Sequence, residues 1–264
     1  MFANLSRADV GAMIKTLGLL AAGFVFASPA SAGYAVTWDL GAAGLNGVSP
    51  APFTADAFGA TEVSHIQFTD AYGHWQEHGY AQITGFSENG QAVSTPGLNS
   101  DYTLYVGFSD TGQQGINGSG GIASATETLY LAKGAAVFGI DPTTHDATID
   151  LGGNPWVKLA DSTLIWGTSG ATAAGDFYAE ILSTFTPSLP SVFQGLLASP
   201  RLFGNFFHGV SQPGGIQPEF DAHYNVIGVV LHGGADTLSF VPEPASLLLL
   251  LGGLPRLLWF RRRG

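Results

Sequence analysis

The pentapeptide His-Trp-Gln-Glu-His, which begins at His74, carries the H-x-x-E-H spacing of a family of zinc peptidases. On a helix, His74 and His78 would share one face and bind zinc while Glu77 activated a water molecule. Here Gly73 and Gly79 flank the pentapeptide and the residues that follow alternate as a strand does. In an extended chain the two histidines lie about 13 Å apart. We therefore predict surface histidines near a hairpin, no metal site and no catalytic residue here.

Four aspartates in the middle of the chain have the hard oxygen ligands that calcium prefers: Asp141, Asp146, Asp150 and Asp161. Their spacing matches neither the EF-hand loop nor a glycine-rich nonapeptide repeat. Aspartates at turns commonly accept hydrogen bonds from nearby backbone amides instead. We therefore predict no cofactor, and structural calcium is the one alternative that these residues leave open.

Other signatures of enzymes are weak. Residues 118–123 fit G-x-G-x-x-A, but residues 126–131 alternate as a strand where a dinucleotide site needs a helix. The chain has no cysteine, which excludes a thiol nucleophile and disulfides, and it has no G-x-S-x-G elbow. A pair of carboxylates could serve a glycosidase, yet no pair stands out. We predict a protein that is not an enzyme.

Three aromatic residues are candidates for stacking on sugar rings, provided that they are exposed: Trp75, Tyr80 and Trp156. Most aromatic side chains on strands belong to the core, so burial is the competing interpretation. A sugar-binding face would need a row of exposed rings on one sheet.

The elements that would position these residues are strands. In residues 102–108, every second residue is large and apolar, which is typical of a half-buried strand. Similar runs occur at residues 34–40, 62–69, 79–86, 126–131, 147–151, 162–166, 177–185 and 224–231. With 37 glycines and frequent turn signals, this pattern predicts an all-β fold, an antiparallel β-sandwich or jelly roll, with a closed barrel as the alternative. Only residues 191–203 have the spacing of a short helix.

The charge of the chain restricts its partners. Between residues 33 and 240 there are 18 acidic and 3 basic residues, a net charge of −15 with neutral histidines. Nucleic-acid binding needs a basic stripe that releases counterions, so we expect no nucleic-acid partner. The acidic balance favours solubility outside the cell and attracts cations.

The first 32 residues have the three regions of a secretory signal peptide. Arg7 and Lys15 precede an apolar run at residues 17–27, and an A-x-A site follows. The run is too short to span a bilayer comfortably. We predict cleavage between Ala32 and Gly33, with the Sec translocon and signal peptidase as partners.

The last 24 residues have a different tripartite pattern. Pro242, Glu243 and Pro244 are followed by an apolar stretch at residues 245–260. This stretch would form a helix of about 24 Å, which is marginal against a hydrocarbon core of roughly 30 Å. Three arginines, Arg261, Arg262 and Arg263, end the chain on what would be the cytoplasmic side.

This tail resembles the PEP-CTERM sorting domain of Gram-negative bacteria that make exopolysaccharide. The resemblance implies that an exosortase recognises residues 242–244, that the transmembrane segment and the basic stop hold the protein in the inner membrane in transit, and that the tail is then removed. Pro255 and Arg256 depart from the family, which usually keeps an unbroken apolar helix. The expected destination is the cell surface or the extracellular matrix.

The middle of the chain resembles flocculation-associated members of that group, through aromatic-glycine strand ends at residues 83–86 and 105–108. We therefore expect three parts: a signal peptide (1–32), a β-sandwich domain (33–240) and a sorting segment (241–264). The resemblance implies an exported, non-enzymatic protein that supports biofilm or floc formation together with exopolysaccharide. The alternative is a secreted polysaccharide-binding or polysaccharide-active protein with the same tail.

Overall fold

The computed structural model describes residues 33–114, 119–171, 176–197, 200–208 and 215–241. These residues form an all-β structure in which every named strand pairing is antiparallel. The all-β part of the predicted fold class is confirmed, and each predicted strand run overlaps an observed strand. The alternating pattern is reliable because one face of each strand is buried and the other is not.

Eight strands close into a barrel. They are β3 (Ala57–Phe68), β4 (His74–Glu88), β6 (Tyr102–Gln114), β7 (Ser119–Lys133), β10 (Trp156–Ala171), β11 (Phe177–Pro187), β13 (Arg201–His208) and β16 (Ala235–Val241). Each pairs with the next along the chain, and β16 returns to β3 through the partners Asp236 with Ala60 and Leu238 with Phe58. The predicted sandwich is thus replaced by its alternative, a closed barrel. Alternation looks the same in both folds, and only the pairing of the first and last strands distinguishes them.

Eight shorter strands decorate the barrel. They are β1 (Val36–Trp38), β2 (Phe53–Ala55), β5 (Gln91–Val93), β8 (Val137–Ile140), β9 (Ala147–Asp150), β12 (Phe193–Gln194), β14 (Ile216–Phe220) and β15 (Val226–His232). Strands β12, β1 and β2 form a separate sheet, and β8 and β9 form a hairpin. Strand β14 pairs with β15, which pairs with the far half of β3.

The small three-stranded sheet closes one end of the barrel. Trp38 on β1 is 1% exposed, and its ring centroid lies 4.9 Å from that of Phe86, 5.1 Å from Phe193 and 5.8 Å from Phe58. Edge contacts of this kind add to the burial of a large apolar surface. Trp38 therefore acts as a plug that joins the separate sheet to the barrel wall.

The helix predicted over residues 191–203 is wrong. A 3₁₀ turn at Pro190–Val192 leads into β12, where Phe193 pairs with Trp38, and β13 begins at Arg201. Of the apolar residues that suggested a helical face, Phe193 lies in the core and Leu196 packs against it, whereas Leu197 is exposed. Tertiary pairing with β1 and β11 outweighs a weak local preference for helix.

Both terminal predictions lie outside the described residues, except for Gly33 and for Val241, the last residue of β16. Ala32, the Pro-Glu-Pro motif and the three terminal arginines therefore remain predictions. In the part of the chain that is described, no helix combines the length and apolar composition needed to cross a membrane.

Replacing Trp38 with alanine should lower the free energy of unfolding by about 3–5 kcal/mol, because it leaves a cavity in the plug. Trp156→Ala is the matched control, since Trp156 is 55% exposed; it should cost about 1 kcal/mol or less. Urea unfolding followed by circular dichroism measures both. Equal losses in the two variants would contradict the assignment of Trp38 as the plug.

Candidate functional site in the barrel interior

Polar residues occupy inward positions halfway along the barrel strands. On β7, Glu127 lies in phase with Ala125 and Leu129, and on β3, Glu62 lies in phase with Ala60. Because inward positions recur every second residue, these acids face the barrel interior. We call the inward group the acid layer; it consists of Glu62, Glu77, Asp110, Glu127, Asp236 and His208.

The acid layer separates two hydrophobic clusters. The lower cluster surrounds Trp38 and includes Leu104 and Leu131. The upper cluster centres on Trp75 and Ile122, toward the opposite end of the barrel. Apolar packing on both sides excludes water from the carboxyl groups, and burying such groups is expensive unless they are paired or neutral.

A cavity of about 100 Å³ lies against the acid layer in the barrel interior. Most of its wall is apolar, with Ile66, Trp75 and Phe206 among the contributors. Five members of the acid layer also line it: Glu62, Glu77, Asp110, Glu127 and His208. An apolar cavity with a few convergent polar groups is the usual form of a small-molecule site.

Burial keeps several of these carboxyl groups protonated. It raises the pKa of Glu77 to about 8, with a further contribution from the charge of Glu62, and the pKa of Glu127 to about 7. Burial and neighbouring carboxylates also hold the pKa values of Asp110 and Asp236 well above the ordinary aspartate value. Near neutral pH, several interior carboxyl groups therefore carry a proton that an exposed carboxyl group would have lost.

Glu62 and His208 form the charged pair of the layer. Their Oε2 and Nε2 atoms lie 3.1 Å apart. Burial works against ionisation of both groups, but their mutual attraction lowers the pKa of Glu62 and raises the pKa of His208. A buried ion pair of this kind costs solvation, which its Coulomb energy must offset.

Glu62, His208 and Asp236 also have the spacing of metal ligands. Each offers one ligand atom, and these three atoms lie within 4.8 Å of one another. Within the described residues, both carboxyl oxygens of Asp236 and Nε2 of His208 lack an aligned hydrogen bond. Buried polar groups normally have partners, so these are exceptions that need an explanation.

A break between two strands positions His208. Strands β15 and β16 run end to end along one edge of β3, with Gly233 and Gly234 between them. Gly233 has a φ of 70°, and its amide donates to the carbonyl oxygen of Glu62 at 2.8 Å. A Cβ on Gly234 would lie 2.4 Å from Cε1 of His208, so only glycine leaves room for the ring. Irregularities in strands commonly aim functional side chains.

The structure excludes the zinc-peptidase interpretation of the first motif. Residues 74–78 lie within β4, where Glu77 faces the interior while His74 and His78 face outward. Nδ1 of His74 lies 2.6 Å from Oδ2 of Asp70, in a local contact on the surface. Two histidines on the outer wall cannot share a metal with a glutamate inside the barrel.

The four aspartates predicted as a calcium alternative have separate partners. Asp141 accepts backbone hydrogen bonds from Thr143 and Thr144, as an Asx-turn does, and Asp150 accepts one from Gly152. Asp161 is paired with Lys158 at 2.8 Å. Asp146 lies near a histidine on the outer wall. The structure does not bring the four together.

The aromatic candidates for sugar stacking are also divided. Trp75 is buried in the interior, whereas Tyr80 and Trp156 lie on the outer wall. Between them a ladder continues through Tyr105 and Tyr130, but Tyr105 is only 4% exposed and Phe138 of the β8–β9 hairpin packs against it. Trp156 is the exposed member of this ladder.

The acid layer is the feature that sequence reasoning missed. The acidic balance of residues 33–240 predicts a charged surface, yet five of these 18 acidic residues face the barrel interior. A signal was present, because Glu127 alternates in phase with the large apolar residues of its strand. An acid in an inward phase marks either a paired core group or a site.

Glu127→Gln should stabilise the protein at alkaline pH. Because the pKa of Glu127 is raised to about 7, the folded state binds more protons than the unfolded state above pH 4.5, and stability falls as the pH rises to 7. The variant removes this loss, so relative to wild type it should gain about 3 kcal/mol between pH 4 and pH 8. Urea unfolding at both pH values measures the difference.

Glu88→Gln is the control for that measurement, since Glu88 lies at the end of β4, away from the acid layer. It should show no comparable gain between the two pH values. If Glu127→Gln behaves as this control does, Glu127 is not a buried, protonated group.

No protein-family model matches the chain, and neither the curated proteins nor the solved structures contain a detectable match to it.

Proposed function

We propose that this protein is an exported binding protein whose barrel holds a small, mostly apolar molecule with a cationic amine. The observation that supports this function is the convergence of four carboxyl groups, from Glu62, Glu77, Asp110 and Glu127, on an apolar cavity. The apolar part of the ligand packs against Trp75 and Ile66, which line the cavity. Its amine lies against the acid layer.

Charge determines the class of ligand. Carboxyl groups in a dry site carry an energetic cost that a cation relieves, because it supplies both charge and hydrogen-bond donors. A carboxylate ligand would add another negative charge to the same site and should be excluded. The cavity of about 100 Å³ suits a molecule of a few heavy atoms, since a dry cavity of roughly 150 Å³ accommodates benzene.

The cellular setting belongs to the same proposal. The signal-peptide pattern and the tail that resembles a PEP-CTERM domain support export, exosortase sorting and a role at the surface or in the matrix. In that setting the protein acts by binding and not by catalysis, and it supports biofilm or floc formation beside exopolysaccharide. The polysaccharide-binding alternative relies on Trp156, the exposed ring of the outer ladder.

Butylamine should bind to the purified protein, and butyrate should not. 1-Butanol, which is uncharged, serves as the matched ligand. In the double variant Asp110→Asn, Glu127→Gln, butylamine affinity should fall by about tenfold or more, because a charge-assisted hydrogen bond contributes about 1.5–3 kcal/mol. Ligand-detected NMR titration measures the three affinities.

The affinity for 1-butanol should change little in this double variant, and Glu88→Gln should leave butylamine binding unchanged. Butyrate binding as tight as that of butylamine would refute the cationic ligand. Binding of none of the three would refute the cavity as a ligand site.

Protein recovered from the surface of the producing cell should begin at Gly33 and end between Pro242 and Pro244. Intact-mass spectrometry measures both ends, and a host that lacks its exosortase is the control. A full-length C-terminus in both hosts would make residues 245–260 a permanent anchor and remove the ground for exosortase sorting.

A further inference from the structure

We propose that Glu62, His208 and Asp236 form a binding site for one divalent first-row transition-metal ion inside the barrel. The site lies beside the cavity and does not depend on the amine ligand proposed above. It is formed by three neighbouring strands, β3, β13 and β16, because Asp236 is the backbone partner of both Ala60 and Phe206.

The geometry of the three side chains supports the proposal. Their ligand atoms lie within 4.8 Å of one another, and the three residues are between 3% and 5% exposed. Ligands bound to one ion at distances of about 2.0–2.2 Å would lie within roughly 4.4 Å of one another. Only a small inward movement of the side chains would complete such a site.

Unpartnered polar atoms provide an independent reason. Both oxygens of Asp236 are buried without an aligned hydrogen bond among the described groups. Nε2 of His208 also lacks an aligned hydrogen bond, although it lies 3.1 Å from Oε2 of Glu62. Leaving such atoms unsatisfied is costly, and these belong to residues whose ligand atoms lie within 4.8 Å of one another. A cation there would satisfy all three at once.

The ligand set selects the class of ion. One imidazole and two carboxylates suit zinc, manganese, iron or cobalt, whereas calcium and magnesium prefer oxygen ligands alone. The charge of a divalent ion also matches this ligand set. Its two positive charges balance the two carboxylates when both are ionised, and the imidazole binds in its neutral form.

The surrounding backbone holds the ligands in place. The break at Gly233 and Gly234 sets the position of the His208 ring, and the amide of Gly233 is hydrogen-bonded to the carbonyl of Glu62. Ser64, which is fully buried, and Glu77 interact with Glu62. Such contacts around metal ligands orient them and affect affinity.

A second group of histidines lies on the outer wall and competes as an explanation for any zinc binding. His65 Nε2 lies 2.9 Å from Oε2 of Glu219, and Nδ1 of His145 contacts the other oxygen of that carboxylate. These atoms already have partners. A test must nevertheless separate the two groups.

The test is titration of the metal-stripped full chain with Zn²⁺ by calorimetry, together with visible absorption after addition of Co²⁺. We expect one equivalent of Zn²⁺ to bind and Co²⁺ to produce a visible band. Asp236→Asn, which keeps the shape of the side chain, should weaken Zn²⁺ binding by at least about 100-fold, beyond the 10–100-fold typical of outer contacts. His208→Gln should remove both signals.

The double variant His65→Gln, His145→Gln is the matched control and should retain the equivalent of Zn²⁺ and the Co²⁺ band. Loss of binding in this control, with binding retained in Asp236→Asn, would move the site to the outer wall and overturn the proposal. No stoichiometric Zn²⁺ in the folded wild type would also overturn it. Because these titrations contain no amine, their failure would leave the butylamine result standing.

Discussion

The burial of carboxyl groups halfway along a closed barrel is the constraint on which the rest of the structure depends. A carboxylate surrounded by apolar side chains must be neutralised, paired or bound to a cation. Here Glu62 is paired with His208, while Glu77 and Glu127 are held protonated by raised pKa values. The acid layer is therefore the costly part of the fold, and the two hydrophobic clusters that enclose it must supply the stability that it removes.

The barrel and its plug make that arrangement possible. Closure of β16 onto β3 removes the open sheet edges on either side of the site. At one end Trp38 and its neighbouring rings fill the interior.

The break at Gly233 and Gly234 positions side chains of the acid layer. It lets β15 and β16 share one edge of β3 while their other edges pair with different strands, β14 and β13. The ring of His208 occupies the space that a side chain on Gly234 would take. Asp236 follows the break by two residues. The break therefore lies beside all three side chains, although Glu62 and His208 are more than 140 residues apart in the chain.

The sequence by itself determined the all-β class and the positions of most strands, because alternation with period two is a local property that one buried face imposes. It also excluded thiol chemistry, through the absence of cysteine. It did not determine barrel over sandwich, because closure depends on the pairing of residues 57–60 with residues 236–239, far apart in the chain. Nor did it identify the site, because alternation places Glu127 on the apolar face of its strand but does not show that this face and those of Glu62 and Glu77 meet inside a barrel. The common interior of these acids follows from the tertiary structure, because the inside of a barrel is a property of the closed sheet and not of any one strand.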